Sequence, residues 1–325
     1  MRLLSLKAGD RLAEISKSSI WLRVAATVAL GVGGCGAAVT SLSEHVSAVG
    51  GDLCQVRTVR PTMRVTDAYD RRVLSLGPVL YLALGYPSSR IKDLSGNGHS
   101  GLYLPRREPP SLARLPNRDP AAEFDGFDQY VQVASAKALS ITQTGCLTVE
   151  AWIRPGALQF PREEGSGYVY VLGKGTPGKQ EYALRMYSRS NSEVPVRPNR
   201  ISAYVFNLAG GLGSGAYFQD RVTTGKWIMV TFVMDDRPSA SWPDGYVAIY
   251  KDAELRGKVS LDQYDVRPQA SNAPLRIATR NLDSYFKGAI AKVAIYDYVL
   301  SRHDISVTYR TMFGQGTVGR KLIGE

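Results

Sequence analysis

The sequence predicts an all-β protein, an antiparallel sandwich, on three observations. From residue 79 onward the chain is a succession of short apolar stretches rich in Val, Ile, Tyr, Phe and Trp, several alternating with the two-residue period of a strand. Clusters of turn-forming residues separate these stretches. Across 325 residues there are 18 Tyr and 32 Gly, a balance that suits strands and tight turns better than helices. With 44% hydrophobic and 21% charged residues, an ordinary globular core is available.

The elements follow in order. VLYLAL (79–84) opens the domain, and DLSGNGHSG (93–101) is a Gly/Asn-rich turn. PRREPPSLARLPNRDP (105–120) is too rich in proline for regular structure. Strands are then expected in AAEFDG, YVQV, LTVEAWI, YVYVLG, EYALRMY, ISAYVF, WIMVTFVM, GYVAIYK, PLRIAT and GAIAKVAIYDY. WIMVTFVM is apolar on both faces, as befits a central strand. GYVAIYKDAELRG (245–257) is a hairpin bending near Lys251 and Asp252. SRHDISVTYR (301–310) is a helix: Ser301 is its N-cap, Asp304 completes an Asp variant of the capping box, and Ile305 and Tyr309 lie one turn apart.

Six of these pieces, in this order, resemble the laminin-G-like jelly roll of the concanavalin A-like lectin/glucanase superfamily: the early DLSGNGHSG turn, AAEFDGFDQYVQV, LTVEAWIRP, GKWIMVTFVMD, the GYVAIYKDAELRG hairpin and FKGAIAKVAIYDYVLS. The resemblance implies a jelly-roll domain over residues 76–312, followed by a tail over 313–325. It also implies a Ca²⁺ site built from the early turn, with Asp93, Asn97 and Gly98 as candidate donors, and an acidic residue of the closing strand. Here that strand reads Ile290-Ala291-Lys292-Val293, so the expected carboxylate is absent and a lysine follows. A hard cation needs six to eight oxygens. The reading is therefore no cofactor, with Ca²⁺ as the alternative.

The N-terminus reads as an anchor or an address. Residues 24–43 carry no charge, and Arg2, Lys7, Arg11, Lys17 and Arg23 precede them against only Asp10 and Glu14. That asymmetry leaves the N-terminus in the cytoplasm and sends the rest of the chain outside. Residues 1–43 are read as a basic leader with a transmembrane segment, an N-terminal hydrophobic helix, or alternatively a cleaved signal. VGGC (32–35) resembles a bacterial lipobox, making Cys35 a candidate lipidation site. Residues 44–75 read as a linker. The protein is then membrane-anchored facing outside, or a secreted protein or lipoprotein. The remaining cysteines, Cys54 and Cys146, are a candidate disulfide, with two free thiols as the alternative.

The formal charge of +11 is spread along the chain among acidic residues, without finger spacing, a basic helix or an RNA-type aromatic signature. Nucleic acid is not the expected partner; an acidic glycan or a surface protein is.

Catalysis finds little support. Glycoside hydrolysis needs two carboxylates flanking the bond, and on a strand they would sit at alternate positions. In LTVEAWIRP, Leu147, Val149, Ala151 and Ile153 form the apolar face, leaving Thr148, Glu150, Trp152 and Arg154 on the other, with a single carboxylate. Glu163 and Glu164 are adjacent in a loop and diverge. His45, His99 and His303 form no triad or metal spacing. GKGTPGKQ (173–180) approaches the phosphate-loop pattern, but Gln180 replaces the hydroxyl residue and a strand follows where a helix is needed, so it is a hairpin turn. The expected function is non-catalytic recognition of glycan or protein at an envelope or matrix surface. The alternatives are a hydrolase or lyase with a dispersed site, or a structural surface protein. Candidate ligand contacts are Arg185, Tyr187 and Tyr204, which strand alternation brings to the polar faces of two neighbouring strands, where they suit an acidic sugar. The loop FNLAGGLGSG (206–215) would shape the rim.

Overall fold

The structure, a computed structural model, describes residues 67–86, 88–105 and 111–315. The leader and uncharged segment, most of the linker, Cys35, His45 and Cys54 lie outside the described residues. Among the described residues, no helix is long and apolar enough to cross a membrane.

In chain order the elements are helix α1 (Ala68–Ser75) and strands β1 (Leu80–Leu82), β2 (Arg90–Ile91), β3 (Gly101–Leu104), β4 (Ser111–Arg114), β5 (Pro120–Asp125), β6 (Tyr130–Val133), β7 (Cys146–Pro155), β8 (Tyr168–Lys174) and β9 (Tyr182–Tyr187). Then follow β10 (Ile201–Val205), β11 (Ser214–Tyr217), β12 (Ile228–Asp235), β13 (Tyr246–Lys251), β14 (Glu254–Ser260), β15 (Leu275–Ile277), β16 (Lys287–Tyr296) and helix α2 (Arg302–Thr311). Two antiparallel sheets result. The first runs β14-β13-β12-β7-β16-β5-β4, with β1 also paired to β16; the second runs β11-β10-β9-β8-β15-β6-β3-β2.

Every stretch read as a strand is one, and α2 begins at Ser301, whose hydroxyl accepts the Asp304 amide at 3.0 Å. Two expectations are corrected. The Pro-rich run contains β4, an edge strand that pairs only with β5; β4 itself holds no proline, and Pro120 is the first residue of β5, a position where proline is tolerated. The end of the expected linker, 68–75, is α1, with Tyr69, Asp70 and Val73 buried.

The inner faces meet in one apolar core that includes Leu147, Val149, Ala151 and Ile153 of β7, Phe232 of β12 and Val293 and Ile295 of β16. Burying each such large side chain contributes about 1.5–3 kcal/mol. The outer face of the first sheet is also buried, under α1 and α2. Trp152 stacks on Tyr309 of α2 at 5.8 Å between ring centroids and donates its indole N–H to Tyr69 of α1 at 2.9 Å. The Tyr69 hydroxyl donates to Glu150 Oε1 at 2.8 Å. Arg72 of α1 pairs with Asp304 of α2 at 2.7 Å. Glu150 is thus on the non-core face, as alternation requires, but fully buried beneath the helices.

A bulge completes this roof. In β16, Lys292 and Val293 together oppose the single Ala151 of β7, and Lys292 takes a φ of +53°. The extra residue turns Lys292 outward, where strict alternation would aim it into the core. Its ammonium lies 2.5 Å from Asp70 and 2.7 Å from Asp119, and 1% of the side chain is exposed. Burial alone would lower its pKa; the two carboxylates overcome this and raise it, so the lysine stays charged. Tyr81 donates a second short hydrogen bond to Asp70.

Two predictions follow from these buried charges. Burial pushes Glu150 up from its ordinary 4.5 to about 7, against the weaker opposing pull of the Tyr69 hydrogen bond and Arg72. Its folded-state pKa lies above its unfolded one, so its contribution to stability is complete below about pH 4.5 and is lost as pH rises through about 7. Raising the pH from about 5 to about 8 should therefore destabilise the wild type relative to Glu150→Gln by about 2 kcal/mol, measured by urea denaturation. Lys292→Met leaves the buried Asp70 and the half-buried Asp119 without their cation and should cost about 3–5 kcal/mol in the same assay.

Candidate functional site

Among the described residues, no helix covers the outer face of the second sheet. On its outer face β8, β9 and β10 place Tyr168 and Tyr170, Arg185 and Tyr187, and Tyr204 side by side, because alternate residues of a strand share a face. Tyr170 is paired with Arg185 across the β8–β9 ladder. The three residues expected from sequence are brought together. The Tyr187 and Tyr204 hydroxyls are 2.6 Å apart. The Arg185 guanidinium lies over four rings: Tyr168 at 4.2 Å, Tyr204 at 4.7 Å, Phe206 at 5.1 Å and Tyr170 at 5.2 Å from the centroids. Such contacts hold a cation at about 0.5–2 kcal/mol each.

Around this stack is an open cavity of about 500 Å³, within the range of small-ligand sites. Gly165, Ser166, Glu193, Arg197, Tyr217 and residues 211–213 are part of its wall, so loop 206–215 forms a rim as expected. Gly215 is required there: a Cβ would come within 2.2 Å of the Tyr204 ring, which lies flat across β11.

Arg197 was not legible as a site residue. It sits in the loop between β9 and β10 and donates to Tyr204 at 3.0 Å, Tyr187 at 3.1 Å and Glu193 at 2.8 Å. Burial holds both phenols above their ordinary pKa, so they remain neutral hydroxyls able to donate or accept. Deeper in the sheet, buried Arg280 donates to the Tyr170 hydroxyl at 2.6 Å, and Arg185 donates to that same oxygen at 3.2 Å. Among the described residues no carboxylate forms an ion pair with Arg185 or Arg280, and Arg185 Nε and Arg280 Nη1 are buried without a hydrogen-bond partner. Arg185 lines the cavity, whereas Arg280 lies fully buried beneath it, and each guanidinium keeps one donor without a partner.

The other sequence candidates sit elsewhere. Asp93 is buried. One carboxylate oxygen accepts the Tyr81 and Ser95 amides, each at 3.0 Å, and the Ser95 hydroxyl at 2.7 Å; the other accepts the His99 amide at 2.9 Å. Asn97 donates to the Pro78 and Val79 carbonyls at 3.3 and 3.2 Å, while Gly98 supplies a φ of +83°. These contacts give the early turn a structural reason to exist without calcium. Asp67, Asp70 and Asp119 form the carboxylate cluster that holds Lys292. Cys146 is buried with its Sγ 3.7 Å from the Asp297 carbonyl, and its candidate partner Cys54 lies outside the described residues. The GKGTPGKQ segment is the β8–β9 hairpin turn, with Thr176 and Lys179 exchanging backbone hydrogen bonds. Lys174 there is buried in an ion pair with Glu181.

One pair of acids escaped the sequence reading. Glu123 and Asp125 share a face of β5 and line a second cleft of about 580 Å³ with Phe127, Gln129 and Lys287. Glu123 is engaged by Arg154 at 3.0 Å, and Asp125 accepts the Phe127 amide at 2.8 Å in a tight turn.

A family model described as the concanavalin A-like lectin/glucanases superfamily matches residues 124–306. Among solved structures, the chain is similar to the botulinum neurotoxin serotype D ligand binding domain in complex with N-acetylneuraminic acid. The TM-score is 0.53 at 12% identity, over 74% of this chain and 52% of that one. It is likewise similar to the binding domain of Paraclostridial Mosquitocidal Protein 1, with a TM-score of 0.52 at 13% identity over 74% and 53% of the two chains. The chain thus spans about half the length of these structures, and at such identities the likeness is one of fold. No curated protein matches it.

Asp93→Ala would orphan the buried Tyr81 amide and three part-buried donors of Ser95 and His99 and should cost about 3 kcal/mol, at 1–3 kcal/mol per unsatisfied buried group. Added calcium should leave the melting temperature of the wild type unchanged. A calcium-dependent rise abolished by Asp93→Ala would contradict this account of the turn.

Proposed function

We propose that this chain, which belongs to the concanavalin A-like lectin/glucanases superfamily, is a non-catalytic recognition module that binds an acidic glycan on the outer face of its second sheet. One observation carries the reading: Arg185, clamped among aromatic rings in an open cavity, has no carboxylate partner among the described residues. A sugar carboxylate or sulfate would take its free donors. Arg197 and Tyr204, braced from behind by the fully buried Tyr187, would meet the ring hydroxyls, and Tyr168 and Tyr217 offer faces for stacking. The serotype D domain, similar in fold, is complexed with N-acetylneuraminic acid, a carboxylated sugar, which supports the same ligand class here. The basic leader and uncharged segment of residues 1–43 support display outside the cytoplasm, by anchor, signal or lipidation at Cys35.

A catalytic reading would rest on the Glu123–Asp125 cleft. Hydrolysis needs one carboxyl kept protonated and one free to attack or to activate water, whereas Glu123 is paired with a guanidinium and Asp125 is tied into a turn.

Calorimetry against matched acidic and neutral oligosaccharides, with assay of released products, tests the proposal. Acidic glycans should bind, and Arg185→Gln should weaken them about 10- to 100-fold, the value of a charge-assisted hydrogen bond. Equal affinity for neutral glycans, an unaffected Arg185→Gln, or released products would each overturn it.

A further inference from the structure

The mouth of the same cavity has a property that a sugar alone does not explain. The three most exposed large apolar side chains among the described residues all flank it: Val194 at 90%, Leu212 at 71% and Val196 at 59%. Val194 and Leu212 line the cavity directly, from two different loops. They are aliphatic. A hydroxylated sugar ring gains from an aromatic face, as Tyr168 and Tyr217 provide, but little from a branched alkyl group surrounded by water. Holding these side chains in water carries a cost that disappears only when an apolar phase meets them. The floor below them is cationic, with Arg185 lacking a carboxylate partner. A cationic pocket beneath a projecting aliphatic rim matches an anionic headgroup standing on a hydrocarbon layer, in charge and in polarity order.

We infer that the acidic glycan is a lipid headgroup, and that Val194, Val196 and Leu212 enter the bilayer interface while Arg185 holds the headgroup anion. The inference rests on the proposed acidic-glycan site and adds the surface on which that glycan is carried.

The test compares full-length chain binding to phosphatidylcholine vesicles with and without a sialylated glycosphingolipid, and to its free oligosaccharide headgroup in solution. Adhesion to plain phosphatidylcholine reports any other membrane-active segment and is subtracted. Glycolipid-dependent vesicle binding should exceed headgroup binding, and Val194→Asp with Leu212→Asp, both in the cavity wall, should lower vesicle binding about tenfold or more per side chain, by a larger factor than they lower headgroup affinity. Both positions are exposed, so an unaltered melting temperature is expected for the variants. As a direct readout, Leu212→Trp should shift its fluorescence to the blue on glycolipid vesicles. Headgroup binding with undiminished vesicle binding by the aspartate variants, or no blue shift, would overturn the lipid inference and leave the glycan site standing. Failure of headgroup and vesicles alike to bind would overturn both.

Discussion

The ammonium of Lys292, buried between Asp70 and Asp119, is the contact on which the arrangement of the molecule turns. It joins the closing strand to helix α1 and to the turn before β5, three segments far apart in the chain. An isolated buried charge costs several kcal/mol, so none of the three groups is stable there without the others. The bulge in β16 exists to make the contact, since it aims a lysine outward where alternation would send it into the core. With α1 fixed, Tyr69 reaches Glu150 and Trp152, and Arg72 reaches α2. The outer face of the first sheet is then closed, and Glu150, however suggestive its place beside a tryptophan, has no access to a substrate.

That closure gives the two sheets different roles. The first is covered on both faces over its central strands and acts as scaffold. The second keeps an open outer face, and there the chain concentrates arginines and tyrosines that do not neutralise one another. Arg280 and Arg185 both donate to one phenol oxygen, so like charges are held close in a partly desolvated place. Aromatic faces compensate part of that cost. In the proposed binding mode a bound anion would relieve the remainder.

Much of this was legible in the sequence, and the exceptions have physical causes. Alternation located the long strands because their inner residues are uniformly apolar, as in LTVEAWIRP. It missed β2, β3, β4 and β11, which are two to four residues long and, β3 apart, lie at sheet edges, where burial imposes less pattern. α1 was read as linker because AYDRRVLS is mixed in charge and Asp67 makes no side-chain cap. Its buried face includes Asp70, a residue that a polarity pattern assigns to solvent. Arg185, Tyr187 and Tyr204 were found because a strand face can be read from residue parity alone. Arg197 sits in a loop without periodicity, and Arg280 reaches the cluster from nearly a hundred residues away through a pairing that only the fold defines. The bulge at Lys292 was illegible for the same reason: one inserted residue reverses the parity of everything on its far side.

We propose that Arg185, which has no carboxylate partner among the described residues, is the anion seat of a glycan site. A crystal structure of the full chain with a bound sialylated oligosaccharide tests it most directly. The sugar carboxylate should lie within hydrogen-bonding distance of the Arg185 guanidinium, with ring hydroxyls facing Tyr204 and Arg197. A sugar bound instead in the Glu123–Asp125 cleft, with the Arg185 cavity empty, would contradict it.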